Sequence, residues 1–294
     1  MSSDAQPTKT SKIEELPDEV IEAIVLAGPG LGPHVKHLAF TLMLHKRKYW
    51  LKCSLVCRRW YRITSAHLFR FVHVDAASPG TVQDFCDMLS QNPTLASIVE
   101  ALIIDTVTLS INTLASLLDL LPRLRWLDML SIILTRTRRE IPNRERLCGN
   151  HKLAKLYYQG SPRGAAGSFQ WEVIEILQLF EEIGELELDD PQKGTTMNVD
   201  AAVVARGKPI IHTMIISDLL PQVDCSYLTC LHKSGAFRNF VGLYITCHSP
   251  VKVSLCCKIL SYVGATLLEL HLCLAFREIN NAITARDKTS TLLT

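Results

Sequence analysis

Four groups of residues have types and spacing that chemistry could use. The first is Gly160-Ser161-Pro162-Arg163-Gly164-Ala165-Ala166-Gly167, which follows a strand-like run from Leu153 to Gln159. It precedes a helical pattern from Phe169 to Ile183 and a second strand-like run, Glu185 to Asp190, that ends in carboxylates. A dinucleotide site wants this order, because glycines admit a pyrophosphate, a helix N-terminus attracts it, and an acid such as Asp189 holds the ribose. The spacing is G-x-x-x-G-x-x-G, however, and Pro162 removes one amide, so a nucleotide-binding enzyme is the minor alternative. The second group, Gly28-Pro29-Gly30-Leu31-Gly32-Pro33, lacks the lysine and hydroxyl of a phosphate loop and reads as a helix terminator. The third, Cys225, Cys230, His232, Cys247 and His248, has no zinc-finger spacing. Cys256-Cys257 sits within an apolar helical pattern and reads as buried filler. The fourth is charged. Arg136, Arg138, Arg139, Arg144 and Arg146 form a basic run without interleaved aromatics, which speaks against nucleic acid. Glu181, Glu182, Glu185, Glu187, Asp189 and Asp190 form an acidic one, suited to a basic ligand or to solvation by nearby arginines.

These residues sit on a periodic frame. An apolar phrase, φ-x-x-φ-x-φ, returns seven times: Val99-Leu102-Ile104, Leu124-Leu127-Met129, Leu153-Leu156-Tyr158, Ile183-Leu186-Leu188, Ile211-Met214-Ile216, Phe240-Leu243-Ile245 and Leu267-Leu270-Leu272. Successive middle residues lie 25 to 30 positions apart, and Phe69-Val72-Val74 is a degenerate earlier copy. The alternation in each phrase predicts a strand with one buried face. Segments with helical spacing lie between phrases, such as Leu114, Leu117, Leu118 and Leu121, or Val173, Ile174, Leu177 and Phe180. Each unit is too small to bury its apolar face alone, so neighbours must stack. The expected fold class is α/β: a helix-strand solenoid, like leucine-rich repeats, with a parallel concave sheet.

Composition bounds the function. The chain has 294 residues, 48% of them hydrophobic, and a net charge of +2, which creates no general demand for nucleic acid or anionic membrane. The start has no signal-peptide pattern and no apolar run spans a bilayer, so the ten irregularly spaced cysteines are expected as thiols in the cytoplasm or nucleus. No cofactor or metal is expected.

Residues 1–12 are polar and read as a disordered tail. Leu16-Pro17-Asp18-Glu19-Val20-Ile21-Glu22-Ala23-Ile24-Val25 opens a helix with proline and acids where a helix start favours both. A further helix is expected around 33–47, from Val35, Leu38, Ala39 and Leu42, and another over Leu51 to Ile63. The leucine-proline start, the Leu55-Val56-Cys57-Arg58-Arg59-Trp60 element and Leu68-Phe69-Arg70 resemble the F-box of ubiquitin-ligase substrate adaptors, especially the divergent fungal type. An F-box followed by leucine-rich-like repeats is a recurrent layout in that family. The spacing departs from the family's by an excess from roughly Ala27 to Tyr49.

The resemblance implies docking to the Skp-type subunit of a cullin-RING ligase. By position it assigns that docking, and the module's small core, to Leu16, Pro17, Val20, Ile24, Leu55, Val56, Cys57 and Trp60. The same helices could instead cap the repeats of a free-standing scaffold. The expected organisation is a helical module over 13–66, a solenoid over 67–276, and a polar tail or partial cap over 277–294. If the φ residues point inward, the alternating positions Trp126, Asp128, Tyr157, Glu187, Asp189, Tyr244 and His271 face a substrate protein. The expected role is a non-catalytic adaptor of a ubiquitin ligase.

Overall fold

The computed structural model describes residues 16–27, 39–75, 81–105, 108–135, 151–160, 168–189, 209–216, 226–247, 252–264 and 266–274. The chain divides into two compact units, the first ending at Val72 and the second beginning at His73.

The first unit holds three helices: α1 (Asp18–Ala27), α2 (Ala39–Ser54) and α3 (Arg58–Arg70). Pro17 sits just outside α1, and its carbonyl accepts from Val20 and Ile21 N–H at 3.1 Å each. Asp18 and Glu19 follow in the first turn, where the helix dipole favours negative charge. Asp18 also pairs with Arg59 and, at 3.0 Å, with Arg62. The last turn of α1 carries no basic residue. Its open carbonyls are met by α2 instead: Tyr49 Oη donates to Ile24 O at 3.1 Å and Trp50 Nε1 to Val25 O at 3.0 Å. Ile21, Val25, Trp50, Cys53 and Trp60 form the core, with Leu16, Tyr49, Cys57, Ile63, Leu68 and Phe71 packed around it.

Two expectations for this region are corrected. Leu51 to Ile63 is not one helix: α2 runs to Ser54, Leu55 and Val56 close it with i→i−3 bonds to Lys52 and Cys53, and Cys57 is extended at the head of α3. The unit also ends at Val72 rather than 66, because Leu68-Phe69-Arg70 completes α3 and Leu68 packs on the core.

The strands are β1 (Phe71–Asp75), β2 (Ala101–Asp105), β3 (Thr108–Ser110), β4 (Trp126–Thr135), β5 (His151–Gly160), β6 (Phe180–Asp189), β7 (Ile210–Ile216), β8 (Gly242–Cys247) and β9 (Glu269–Leu274). Between them lie α4 (Thr81–Gln91), α5 (Pro93–Ala96), α6 (Ile111–Leu120), α7 (Ser168–Leu177), α8 (Ser226–Ser234) and α9 (Lys252–Val263). The sheet is open and runs β1-β2-β4-β5-β6-β7-β8-β9, with β3 beside β4, and the pairings from β2 onward are parallel. Strand follows strand in chain order, so the described strands contain no reversal of the kind that makes the crevice of a dinucleotide fold.

The repeated phrase is the register of this sheet. Leu102, Leu127, Leu156, Leu186, Met214, Leu243 and Leu270 are successive Cα partners, and Ile104, Met129, Tyr158, Leu188, Ile216, Ile245 and Leu272 form the next row. Both rows are buried as far as β8, whereas Leu270 and Leu272 on the last strand are exposed. The degenerate copy contributes β1, in which Val74 is buried. Helices cover the apolar face: Tyr158 Oη donates to Glu172 Oε2 of α7 at 2.5 Å, and Leu134 N–H of β4 approaches Glu172 Oε1 at 3.4 Å.

Local sequence explains the irregular points. Ser110 Oγ caps α6 by accepting from Thr113 N–H at 3.0 Å. In β4 the register shifts between Met129 and Ile132, where Ser131 takes φ 53°. Beyond this bulge Ile133, Leu134 and Thr135 pair with β3. Phe180, expected in a helix, instead opens β6, and a Cβ on Gly184 would lie 2.7 Å from Ala154 O, an approach only glycine allows. Cys257, expected as buried filler, is exposed. No helix of the described residues is long and apolar enough to cross a membrane.

Candidate functional site

Alternation along the strands sets a second pair of rows on the face opposite the leucines. One row runs Ala101, Trp126, Lys155, Glu185, Thr213, Gly242, Glu269; the other runs Ile103, Asp128, Tyr157, Glu187, Ile215, Tyr244, His271. Asp189 lies one step further along β6, opposite Gln159. All seven residues expected to face a substrate therefore share this face.

Their chemistry centres on β4, β5 and β6. Trp126 Nε1 donates to Asp128 Oδ1 at 2.6 Å. Lys155 Nζ reaches Glu185 at 2.6 Å and Glu187 at 2.8 Å, and lies 5.4 Å from the Trp126 ring centroid. Tyr157 Oη and Gln159 Nε2 both approach Asp189 Oδ2, at 3.3 and 2.8 Å. Towards β9, the Tyr244 and His271 rings stack with centroids 4.6 Å apart, and His271 Nε2 lies 2.9 Å from Glu269.

Burial shapes the electrostatics. Asp128 is only 8% exposed, and its desolvation pushes the carboxyl up to about 6, against the pull of the Trp126 hydrogen bond and the Lys155 charge. Burial also lifts the Tyr157 phenol, and the charges of Asp189 and Glu187 lift it further. Burial draws the Lys155 ammonium down, but Glu185 and Glu187 outweigh that effect and hold it charged. Hydrogen bonds from His271 and Tyr244 lower the Glu269 carboxyl.

The acidic run is thus partly neutralised among the described residues: Lys152 pairs with Glu181 and Glu182, and His212 pairs with Glu182. Sequence reasoning placed Glu185 only in the acidic run and missed Lys155, Gln159 and Glu269 as members of this face. Their positions two residues from chosen ones were the available signal.

The helical unit presents a different surface. Among the residues that the F-box resemblance assigns to docking, Trp60 is buried in the core and Leu16 and Cys57 pack against it. Pro17, Val20, Ile24, Leu55 and Val56 are exposed, Leu55 by 85% and Val56 by 50%. Ile21 and Val25 point into the unit while Val20 and Ile24, one position earlier in each turn, point out. Leu26, Leu51, Tyr61 and Phe69, not chosen from sequence, are also exposed.

The remaining candidates contribute less. Gly160 ends β5, and residues 161–167 of the glycine-rich turn lie outside the described residues. So do the Gly28–Pro33 loop, the arginine run at 136–146, Cys225, His248 and the tail over 277–294. His232 stacks on Tyr262 at 5.0 Å. A comparison of the sequence with protein-family models gave no match, and a search of curated proteins gave none either.

Proposed function

We propose that the chain is a non-catalytic substrate-recognition adaptor of an SCF-type cullin-RING ubiquitin ligase, working in the cytoplasm or nucleus. In this reading the helical unit is an F-box that docks on the Skp-type subunit. The sheet-bearing unit is a leucine-rich-like solenoid that holds a substrate protein. The observation that carries the reading is the exposed apolar turn Leu55-Val56, together with the outward Val20 and Ile24, in a unit whose core is already filled by Ile21, Val25, Trp50 and Trp60. Burying a side chain of this size is worth roughly 1.5–3 kcal/mol, so a free unit gains nothing from displaying it and a docked one does.

The strand order supports the solenoid half. Parallel strands laid down in chain order are what right-handed crossovers of a repeated helix-strand unit produce, with the helices gathered on one face. Rate enhancement would come from effective concentration and orientation of the substrate near the ligase's ubiquitin-loading machinery.

The test is co-expression with a Skp-type subunit followed by affinity capture and size-exclusion chromatography. The wild-type chain should co-elute with that subunit. Leu55→Asp with Val56→Asp should abolish co-elution while leaving the thermal melt unchanged, because neither residue belongs to the core. Trp60→Ala is a poor probe, since it empties that core. A wild-type chain that stays alone overturns the adaptor assignment and leaves a free-standing repeat scaffold.

A further inference from the structure

We propose that two copies of the chain pair edge to edge through β9, antiparallel and centred on Leu270, and so form a symmetric dimer. The inference stands apart from the adaptor reading, because it uses neither the helical unit nor a substrate.

β9 pairs with β8 on one side and is the last of the described strands. Its other edge offers backbone N–H and C=O groups of the kind that template a further strand. The side chains there are apolar. Leu270 and Leu272 are 42% and 44% exposed, and Leu268, the residue before the strand, is 86% exposed, whereas their β8 partners Leu243 and Ile245 are buried.

What fits this edge follows from its own order of residues. A two-fold axis at a sheet edge sets two copies of one strand antiparallel, with each residue opposite one fixed by the centre of pairing. Centred on Leu270, the pairing puts Leu270 opposite Leu270 of the second copy, and Leu268 opposite Leu272 twice. The same register puts Glu269 of each copy opposite His271 of the other. Leucine then meets leucine and carboxylate meets imidazole, so the apolar and the charged positions are both self-complementary. A shift of the centre by one residue destroys this: centred on His271, the two imidazoles would face each other and Glu269 would face Cys273.

The charged groups are already oriented. The His271 ring is stacked on Tyr244, with centroids 4.6 Å apart, and its Nε2 lies 2.9 Å from Glu269 of its own strand. Both side chains are more than half exposed. A carboxylate accepts several donors, so the second copy's imidazole adds to this contact. One six-residue strand from each copy makes less contact than a standard interface of about 1,600 Å², so the dimer forms by mass action and dilution reopens the edge.

The test is sedimentation velocity on the full-length chain at pH 7 over a concentration series. The mass should rise from monomer to dimer and stop there, as a closed two-fold contact requires. Leu270→Lys sets two ammonium groups opposite each other on the axis and should weaken the dimer about tenfold. Glu269→Lys and His271→Glu should each weaken it about fivefold alone. An equimolar mixture of those two variants should dimerise as the wild type does, because the new ammonium of one faces the new carboxylate of the other. Should Leu270→Lys fail to fold, judged by its thermal melt, the mixture decides alone. A wild-type chain that stays monomeric, its edge left to another protein or to the chain's own residues, overturns the proposal. So does a dimer that survives Leu270→Lys unweakened, or a mixture that dimerises no better than its parts.

Discussion

Asp128 is the residue on which charge and burial conflict most. Its folded carboxyl, pushed up to about 6 by desolvation, titrates above its unfolded value near 4, so between those pH values the folded state holds more protons than the unfolded one. Stability contributed by this group is therefore present at low pH and lost as pH rises through about 6. The facing groups are Lys155, Glu187, Tyr157 and the Trp126 indole, and of these only Lys155 and the indole favour the ionised form. Asp128→Asn removes the titration. Measured by urea denaturation, the stability of this variant relative to wild type should rise by about 2–3 kcal/mol between pH 4 and pH 7. A flat difference would mean that Asp128 is not desolvated. Ser131 is the other residue under local strain, a side chain held at φ 53° in the β4 bulge. Ser131→Gly should be neutral or stabilising by up to about 1 kcal/mol, and Ser131→Val should destabilise by more than 1 kcal/mol in the same assay.

At the scale of elements, α1 is finished by another helix rather than by its own residues. Trp50→Phe keeps most of the core volume but deletes the donor to Val25 O, and should cost about 1–2 kcal/mol in denaturant titrations. The same element shows where sequence reasoning stops. The helical period around Leu51 to Ile63 is continuous in apolar spacing and contains no glycine or proline, so nothing local announces the break at Leu55–Cys57. That break comes from tertiary packing, which turns Trp50 and Trp60 into one core while Leu55 is left outside. The strands were legible for the opposite reason. Each φ-x-x-φ-x-φ phrase repeats the same burial demand, so parallel pairing in register satisfies all of them at once, and the rows fall where the pattern puts them. The face opposite followed from alternation alone. Its ion pairs did not, because Lys155 lies about 30 positions from Glu185 and Glu187 and meets them only through the register.

Across the sheet, the solenoid reading proposed above makes stability a local quantity. A residue in the middle of the sheet has a strand on each side, whereas Leu270 sits on β9, the last of the described strands, and is exposed. In a stack held by nearest-neighbour contacts, the cost of deleting the same atoms depends on position in the row rather than on the residue type. Leu156→Ala and Leu186→Ala, both central and buried, should each cost about 3–4 kcal/mol, within the range for fully enclosed leucines. Leu270→Ala, 42% exposed, should cost less than about 1 kcal/mol. Hydrogen exchange should follow the same gradient, with amides of β5 and β6 protected longest and those of β9 exchanging first. Such a gradient places the least stable rung at the β9 edge and the acidic face, built on β4 to β6, on the most rigid part of the sheet. Equal costs along the row would instead mean that the sheet melts as one block, and that its central strands give the acidic face no added rigidity.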